Sequence, residues 1–509
     1  MSTEKLAGVI FRSQRGNRSF YDDNTGLVFA CPDVMWELLN RYEGVSEQEV
    51  LAAMSDRFSA DEVSSYYRFV DRWSRQEKAF FLSSRIPRHA STASREELES
   101  YLQRNGFMQL ILNVTEDCNL RCRYCAYSYH YPLNRPRKAT RMEFRVAQQA
   151  VDYYLKGFEQ VRLRNPSRRP VVGFYGGEPL LNFKLVRQVI EYIKASYSEE
   201  VYLNVTTNGT LMTDRIADYL VKNNVAISFS LDGPKAEHDR LRVDAGGEGT
   251  FDRVYPKIAR LHRRYPEHKA ILILSCYDWG TDLEAVQRFF DDHLEELPLL
   301  GKASLIYPFF TTYYEQYGAN GSQRMSSQIN ELKRAYFDDL RQGSRSRSEY
   351  LERLIGMDCR FVLLRPMAEE RRLPFVPYTR PCVPGDKIAV DPDGTFHLCE
   401  KMNQHYPIGH VDSGINLELV SSIMQRYSQQ VLSSCSRCPI TRLCSVCYSR
   451  FAGEKQFLKA PSDLCEKSIQ AARARLAFTY SILEENPNAY QELITHHFAR
   501  LAETRTVDI

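Results

Sequence analysis

At 509 residues, with 43% hydrophobic and 26% charged residues, the chain is globular and long enough for two or three domains. A formal net charge of +3 is too small for wrapping nucleic acid, and apolar runs such as VAISFSLDG and HKAILILSCYD are only strand-length. The opening MSTEKLAGVIFRSQRG lacks the apolar core and cleavage site of a signal peptide, so a cytoplasmic protein with neither a membrane nor a nucleic-acid partner is expected.

Residues 1–90 read as a separate unit. GVIFRS and GLVFA predict short strands joined by a turn at Tyr21–Gly26, where DDNTG supplies turn formers. MWELLNRYEG, SEQEVLAAMSDRF and SADEVSSYYRFVDRW predict amphipathic helices, with capping boxes at Ser46/Glu49 and Ser59/Glu62. A small helical cap on a catalytic core is one reading of this unit, because helix periodicity reports burial and not a ligand. A polar bridge follows, with the linker assigned to residues 91–107.

From residue 108 to about 310, strand and helix patterns alternate. MQLILNV, VVGFYGG, VYLNVTTNG, VAISFSLDG, AILILSCYD and ASLIYPF read as strands. The helices between them include MEFRVAQQAVDYYLKG, FKLVRQVIEYIKAS, TDRIADYLVKN, FDRVYPKIARLHRRY and LEAVQRFFDDHL. This alternation predicts an α/β fold with a parallel sheet, and periodicity leaves open whether the sheet is barrel-like or doubly wound. Residues 311–358 are a polar bridging region with an exposed loop at GSRSRSEY, residues 359–470 have little regular pattern, and residues 471–509 read as closing helices.

The chain has 13 cysteines, and in a reducing compartment clustered cysteines point to metal and not to disulfides. The first group is CNLRCRYC, Cys118-x3-Cys122-x2-Cys125, directly after a strand. Three thiolates on a tight loop suit three irons of a [4Fe–4S] cube and leave the fourth open; a zinc site would need a fourth ligand, for which His130 is nearest. The second group is Cys382-x11-Gly394-x4-Cys399, then Cys435-x2-Cys438-x5-Cys444-x2-Cys447, then Cys465. A zinc ribbon would use two CxxC pairs but leave Cys382, Cys399 and Cys465 unexplained. Cys31, Cys276 and Cys359 lie apart from both groups.

The first triplet, the aromatic Tyr124 before its last cysteine, and Gly176-Gly177-Glu178-Pro179 after VVGFY together resemble the radical S-adenosylmethionine (SAM) family. The second cysteine group resembles that family's SPASM-type auxiliary region, departing from it in having x2 where x3 is usual between Cys444 and Cys447. His238-Asp239-x2-Arg242 and Gly249-Thr250-Phe251-Asp252 match a pattern common among SPASM-bearing members. The resemblance implies a partial (β/α)6 barrel over 108–310, a SPASM region over 359–470 and a winged-helix-like leader-peptide-recognition domain over 1–90. It implies SAM bound at the open iron, with the GGEP backbone and acidic side chain holding the methionine amino group. Thr206, Thr207, Asn208, Ser230 and Asp232 would contribute from the next strand ends, Ser230 near the ribose.

By the same resemblance three [4Fe–4S] clusters are expected. Cys382, Cys399 and Cys447 would hold auxiliary cluster I, with Cys359 the candidate fourth ligand, and Cys435, Cys438, Cys444 and Cys465 would hold cluster II. Glu400 is a candidate base, or else a surface acid or a group fixing Lys401. The implied partners are a precursor peptide with a leader and a flavodoxin- or ferredoxin-type reductant. The expected activity is oxidative crosslinking of a ribosomal peptide, a cysteine thioether first and a carbon–carbon link next. Alternatives are a formylglycine-forming sulfatase maturase and a noncatalytic iron–sulfur peptide-binding or electron-transfer protein.

Overall fold

In the computed structural model of the chain, residues 5–85, 94–342, 348–367, 387–432 and 434–489 are described, with 491, 493–495 and 498 beyond them. Cys382 and most of the GSRSRSEY loop lie outside the described residues.

Residues 5–85 have their own apolar core. Strands β1 (Gly8–Arg12), β2 (Arg18–Asp22) and β3 (Val28–Ala30) form an antiparallel sheet in the order β1-β2-β3. Helices α1 (Asp33–Leu39), α2 (Glu47–Met54) and α3 (Ala60–Glu77) follow. The expected pairing of GVIFRS with GLVFA is corrected: RSFYD is a middle strand between them, and the DDNTG turn joins β2 to β3. Phe20 packs into the helical core while Tyr21 packs on the opposite face against residues 361–362 and 440–476. A strand buried on both faces lacks the polar alternation by which strands are read. The Ser46/Glu49 capping box forms, and Ser59 Oγ accepts from Glu62 N at 3.3 Å.

The assigned linker is also corrected, because α4 (Arg95–Asn105) occupies most of it. Its start is a capping box of Ser94 with Glu97, and its single fully buried side chain is Leu98. One apolar anchor is too little periodicity to mark a helix in sequence.

The main sheet begins with β4 (Gln109–Thr115), every residue of which is buried. It continues through α5 (Phe144–Arg164), β5 (Val171–Gly176), α6 (Phe183–Ser196), β6 (Tyr202–Thr207), α7 (Asp214–Lys222) and β7 (Val225–Ser230). Then come α8 (Lys235–Leu241), α9 (Phe251–Arg264), β8 (Ile271–Tyr277), α10 (Leu283–Asp292) and β9 (Leu300–Leu305). The strands β4 to β9 lie side by side in chain order and all run parallel. Crossovers between parallel strands are right-handed, so an order that never reverses puts the helices on one face and gathers the strand ends into one mouth. A doubly wound sheet would need a reversal of strand order.

Residues read as polar bridge contain α11 (Gly321–Arg341), whose Met325, Leu332, Tyr336, Phe337 and Leu340 are buried along one stripe. Next, α12 (Glu349–Leu351) passes through a π-helical turn, Glu352–Gly356, into α13 (Met357–Leu363). Strand β10 (Lys387–Val390) then pairs parallel with β4, so the cysteine-rich segment extends the main sheet. Antiparallel β11 (Thr395–His397), β12 (Gly409–His410) and β13 (Gly414–Ile415) complete ten strands, followed by α14 (Leu417–Val431) and α15 (Leu464–Glu485). Strands of two to four residues are too short to announce themselves by alternation. No described helix is long and apolar enough to cross a membrane.

Candidate metal centre and active site

The loop after β4 carries Cys118, Cys122 and Cys125 and is held by its backbone. Arg121 N donates to Val243 O at 2.7 Å and Arg123 N to Leu241 O at 2.9 Å. Amides point at the sulfurs: Leu120 N lies 3.4 Å from Cys118 Sγ, and Tyr127 N 3.4 Å from Cys125 Sγ. Burial pushes Cys118 up to about 11, Cys122 up to about 12 and Cys125 also upward, and the thiols act electrostatically on one another. A bound metal reverses that tendency by deprotonating the thiols outright. Three neighbouring buried thiols with amide donors aimed at two of them fit an iron–sulfur cube. His130 is not beside them: its ring faces Thr312 Oγ1 at 3.2 Å and stacks near Tyr129. Among the described residues, no three His, Cys, Asp or Glu side chains converge on a single metal ion.

The GGEP segment packs directly on this loop. Gly177 N donates to Thr115 O at 2.8 Å and Glu178 N to Asp117 O at 2.9 Å. A Cβ on Gly176 would lie 2.1 Å from Thr115 O, and one on Gly177 2.0 Å from Asp117 O. Both glycines therefore serve the close approach of two backbones, with Gly176 also at φ +133°. Pro179 starts a short 3₁₀ turn, and Glu178 is buried beside it. The Glu178 carboxylate accepts from Asn208 N and Thr207 Oγ1, both at 2.7 Å, and from Leu180 N at 3.0 Å. Burial nonetheless pushes its pKa upward. Its side chain ties the end of β5 to the end of β6, an internal role beyond the ligand-holding one expected of it. Asn208 in turn reaches Asn119 Oδ1 at 3.0 Å, and its amide sits 3.9 Å from Cys118 Sγ. Thr206 and Ser230 stand half-buried at the ends of β6 and β7.

Asp232 organises the other side of the mouth. Its carboxylate accepts from Tyr124 OH at 2.9 Å, Arg242 Nε at 2.8 Å and Cys276 N at 2.9 Å. The Arg242 guanidinium also lies over the Tyr124 ring, 5.4 Å from its centroid. His238 supports this group from behind: Nδ1 lies 3.4 Å from Asp232 N, and Nε2 3.0 Å from Thr250 Oγ1. Burial lowers His238 to about 4 and keeps the imidazole neutral. Asp239 accepts from Phe251 N at 2.8 Å. The HDxxR and GTFD pieces thus form one bracket around Asp232.

Glu400 follows β11 in the cysteine-rich segment, and its partner Lys387 stands in register with Gln109 at the start of β4. Its side chain is 9% exposed and paired with Lys387, whose Nζ lies 3.3 Å from Oε1. Burial alone would raise its pKa, but Lys387 and Lys401 outweigh burial and hold it below the usual glutamate range. Tyr175, directly before Gly176, is pushed upward by burial and then by Glu400, Cys125 and Cys276, all three within electrostatic reach of its phenol. Cys276, set apart by its sequence position, stands beside Asp232, to which its N–H donates, and burial raises its thiol to about 11. Asp391 is a further residue the sequence did not single out. It accepts from Asn113 Nδ2 at 2.8 Å and from Arg135, and lies 3.0 Å from His397 Nε2. It thereby joins β4, the loop beyond the cysteine triplet and β11.

The later cysteines separate into sets. Cys435, Cys438, Cys444 and Cys465 act electrostatically on one another, and burial drives Cys435 to about 12 and Cys444 to about 11. Four neighbouring thiols on irregular turns and a helix start suit a closed iron–sulfur site. Cys399 is buried after β11. Cys447 faces Arg450 and Tyr307, whose guanidinium and ring stack at 3.4 Å. The thiol of Cys359 is buried on α13; burial raises it to about 12, against a hydrogen bond from Thr479. Beside the first cysteine loop opens a cavity of about 520 Å³, lined by Arg123, Arg240, Arg324, Trp279, Tyr313 and Tyr317 among others. Asp278 and Glu237 neutralise Arg240 there.

Residues 112–277 match the model of the Radical SAM superfamily. A cysteine-type anaerobic sulfatase-maturating enzyme of Clostridium novyi is 29% identical over 185 residues, covering 36% of this chain and 47% of the relative. The radical SAM cyclopropyl synthase TigE of Paramaledivibacter caminithermalis is 29% identical over 130 residues, covering 25% of this chain and 27% of the relative. The chain thus spans less than half the length of these curated relatives. Among solved structures, histidine-tagged anSMEcpe with bound AdoMet shares the fold at a TM-score of 0.56 and 20% identity, over 78% of this chain and 98% of the other.

Proposed function

From the match of residues 112–277 to the Radical SAM superfamily we propose that the chain is a peptide maturase that oxidatively installs a crosslink, a cysteine thioether in the leading case, in a ribosomally made precursor peptide. The observation that carries this reading is the parallel pairing of β10 with β4, the strand that ends in the first cysteine loop, with the buried Glu400–Lys387 pair beside it. It joins the auxiliary segment that carries Glu400 to the strand that delivers the first cysteine loop. Cys118, Cys122 and Cys125 would hold the SAM-binding cluster, and Cys435, Cys438, Cys444 and Cys465 one auxiliary cluster. Cys382, Cys399 and Cys447 would hold the other, with Cys359 the candidate fourth ligand. When bound, these groups supply an electron, a 5′-deoxyadenosyl radical that removes a hydrogen atom from carbon, and a route for the electron that the substrate then loses.

The chain's own residues do the rest. Asp232 fixes Tyr124 and Arg242 along the mouth, and Glu178 locks the ends of β5 and β6 under the cysteine loop. Glu400, held ionised by Lys387, accepts the proton that leaves the substrate thiol as the sulfur–carbon bond forms. The substrate thereby loses two hydrogens, one as an atom and one as a proton plus an electron. The front unit offers a docking edge: β3 pairs only with β2 among the described strands, beside Phe29, Phe69 and Trp73. An extended leader adding a strand there would gain main-chain hydrogen bonds and aromatic contact. A cytoplasmic flavodoxin- or ferredoxin-type protein would supply the reducing electron.

A second reading, formylglycine formation on a sulfatase, draws support from the similarity to the C. novyi enzyme. Anaerobic incubation with SAM, dithionite and a cysteine-containing peptide encoded beside this chain, followed by fragmentation mass spectrometry, separates the readings. Loss of two hydrogens with a new inter-residue link is expected. Loss of two hydrogens without a link overturns crosslinking. Failure of the reduced, cluster-loaded protein to release 5′-deoxyadenosine overturns catalysis and leaves a binding or electron-transfer protein.

A further inference from the structure

The turn between β2 and β3 holds two adjacent carboxylates that face opposite ways. Asp22 points inward, accepting from Thr25 N at 2.8 Å, Thr25 Oγ1 at 2.6 Å and Phe80 N at 2.8 Å. Asp23 points out of the front unit into the segment between Cys438 and Cys444. Its carboxylate accepts from Arg442 N at 2.8 Å, Thr441 Oγ1, Arg85 Nη2 at 3.1 Å and Tyr21 OH at 3.0 Å. Its carbonyl accepts from Arg442 Nε at 2.7 Å. Arg85 extends the grip, donating to Cys438 O at 2.8 Å and Ser436 O at 3.1 Å. Asp23 is fully buried, and Thr441 and Arg442 are 3% and 2% exposed.

The five residues between Cys438 and Cys444 form only a single 3₁₀ turn, Thr441–Leu443. Within that turn, Thr441 and the Arg442 amide are fixed by a side chain 418 and 419 positions away. Without the Asp23 carboxylate a buried amide, two hydroxyls and the Arg85 guanidinium would lose an acceptor, which is costly in a dry site, so the turn would rearrange to recover partners.

We infer that Asp23 of the front unit is a positioning residue for the auxiliary cysteine site, fixing the Cys438–Cys444 turn so that Cys435, Cys438, Cys444 and Cys465 hold their cluster only while the front unit is docked. The inference rests on the proposed reading of those four thiols as a cluster site. It adds a role for residues 5–85 independent of any leader peptide.

The test uses the full chain, reconstituted anaerobically, as wild type, Asp23→Ala, Asp23→Asn and Thr441→Val, with Cys444→Ser as the reference for loss of that cluster. Iron and sulfide are counted, and electron paramagnetic resonance spectra are taken after reduction with and without SAM. Asp23→Ala is expected to lose the same iron as Cys444→Ser, about four atoms for one cube, while the SAM-dependent change in the first cluster's spectrum persists. Asp23→Asn and Thr441→Val, which keep more of the shape, are expected to retain iron but shift the auxiliary signal. Should Asp23→Ala fail to fold by circular dichroism, the two milder variants decide. Wild-type iron and spectra in the folded Asp23 variants overturn this inference alone, and a wild-type chain with no iron beyond the first cluster overturns it together with the reading on which it rests.

Discussion

The two thiol sites are built in opposite ways. Cys118, Cys122 and Cys125 lie within eight residues at the end of a strand buried along its whole length, with parallel neighbours on either side. Regular backbone delivers them, and the loop's amides finish the job. Cys435, Cys438, Cys444 and Cys465 lie on 3₁₀ turns and the start of α15, where no sheet fixes their spacing. Their turn is gripped instead by a buried carboxylate from the first 25 residues. Where secondary structure places the donors, a local motif suffices; where it does not, long-range buried polar contacts take over its function.

The largest expected effect sharpens this contrast directly. Cys122→Ser should abolish release of 5′-deoxyadenosine, whereas Cys444→Ser should leave SAM cleavage intact and stop crosslinked product from forming. Paired product and 5′-deoxyadenosine assays check both. Equal loss of SAM cleavage in the two variants would erase the functional distinction between the sites. Next in size, Glu400→Gln should lower the rate of product formation by about 10²- to 10⁴-fold, the range for a positioned base, with 5′-deoxyadenosine release retained. A product rate within a few-fold of wild type would return Glu400 to the role of a counter-ion for Lys387.

A smaller effect concerns the other carboxylate of the front turn. Burial pushes Asp22 up from 3.8 to about 6, against the hydrogen bonds from Thr25 and Phe80. Its folded pKa is above its unfolded one, so the folded chain binds the extra proton and gains stability at low pH. That contribution, about 3 kcal/mol, is fully present below about 4 and is lost as pH rises through about 6. The urea midpoint of the front unit, followed through Trp36 and Trp73 fluorescence, should therefore rise between pH 7 and pH 5. The rise should be smaller in Asp22→Asn, and identical slopes in the two chains would remove Asp22 from the pH response.

The same contrast explains what was legible in the sequence. β4 to β9 and their helices carry long apolar runs and clean periodicity, so their order was readable, although only the observed strand order could decide between a barrel wall and a doubly wound sheet. The cysteine triplet and GGEP were readable as motifs, but their packing was not: the glycines meet backbone, and Glu178 bonds within the chain. β2 hid because both its faces are buried, α4 because it has one buried anchor, and α11 because its apolar stripe is diluted by polar residues. Asp23, Asp391 and Lys387 were invisible for a different reason. Their meaning depends on partners far away in sequence, at Arg442, Asn113 and Glu400, and no local pattern encodes such pairings.

Lys387 gives the finest test of how the two regions communicate. It sits at the first position of β10, the strand that fuses the auxiliary segment to β4, and its ammonium is 11% exposed beside a 9% exposed Glu400. Burial favours the protonated acid, and Lys387 opposes it more strongly than Lys401 does. Replacing Lys387 with Met keeps the volume but removes the strongest charge opposing burial, so Glu400 should titrate at a higher pH, because a buried carboxylate without its partner neutralises. A base works only when deprotonated, so the acidic limb of the kcat/KM profile for product formation should move to higher pH while the plateau rate changes little. The limb for SAM cleavage, which does not use Glu400, should stay in place. Movement of both limbs together, or of neither, would mean that the β10–β4 junction carries strand pairing but does not tune Glu400 as a proton acceptor.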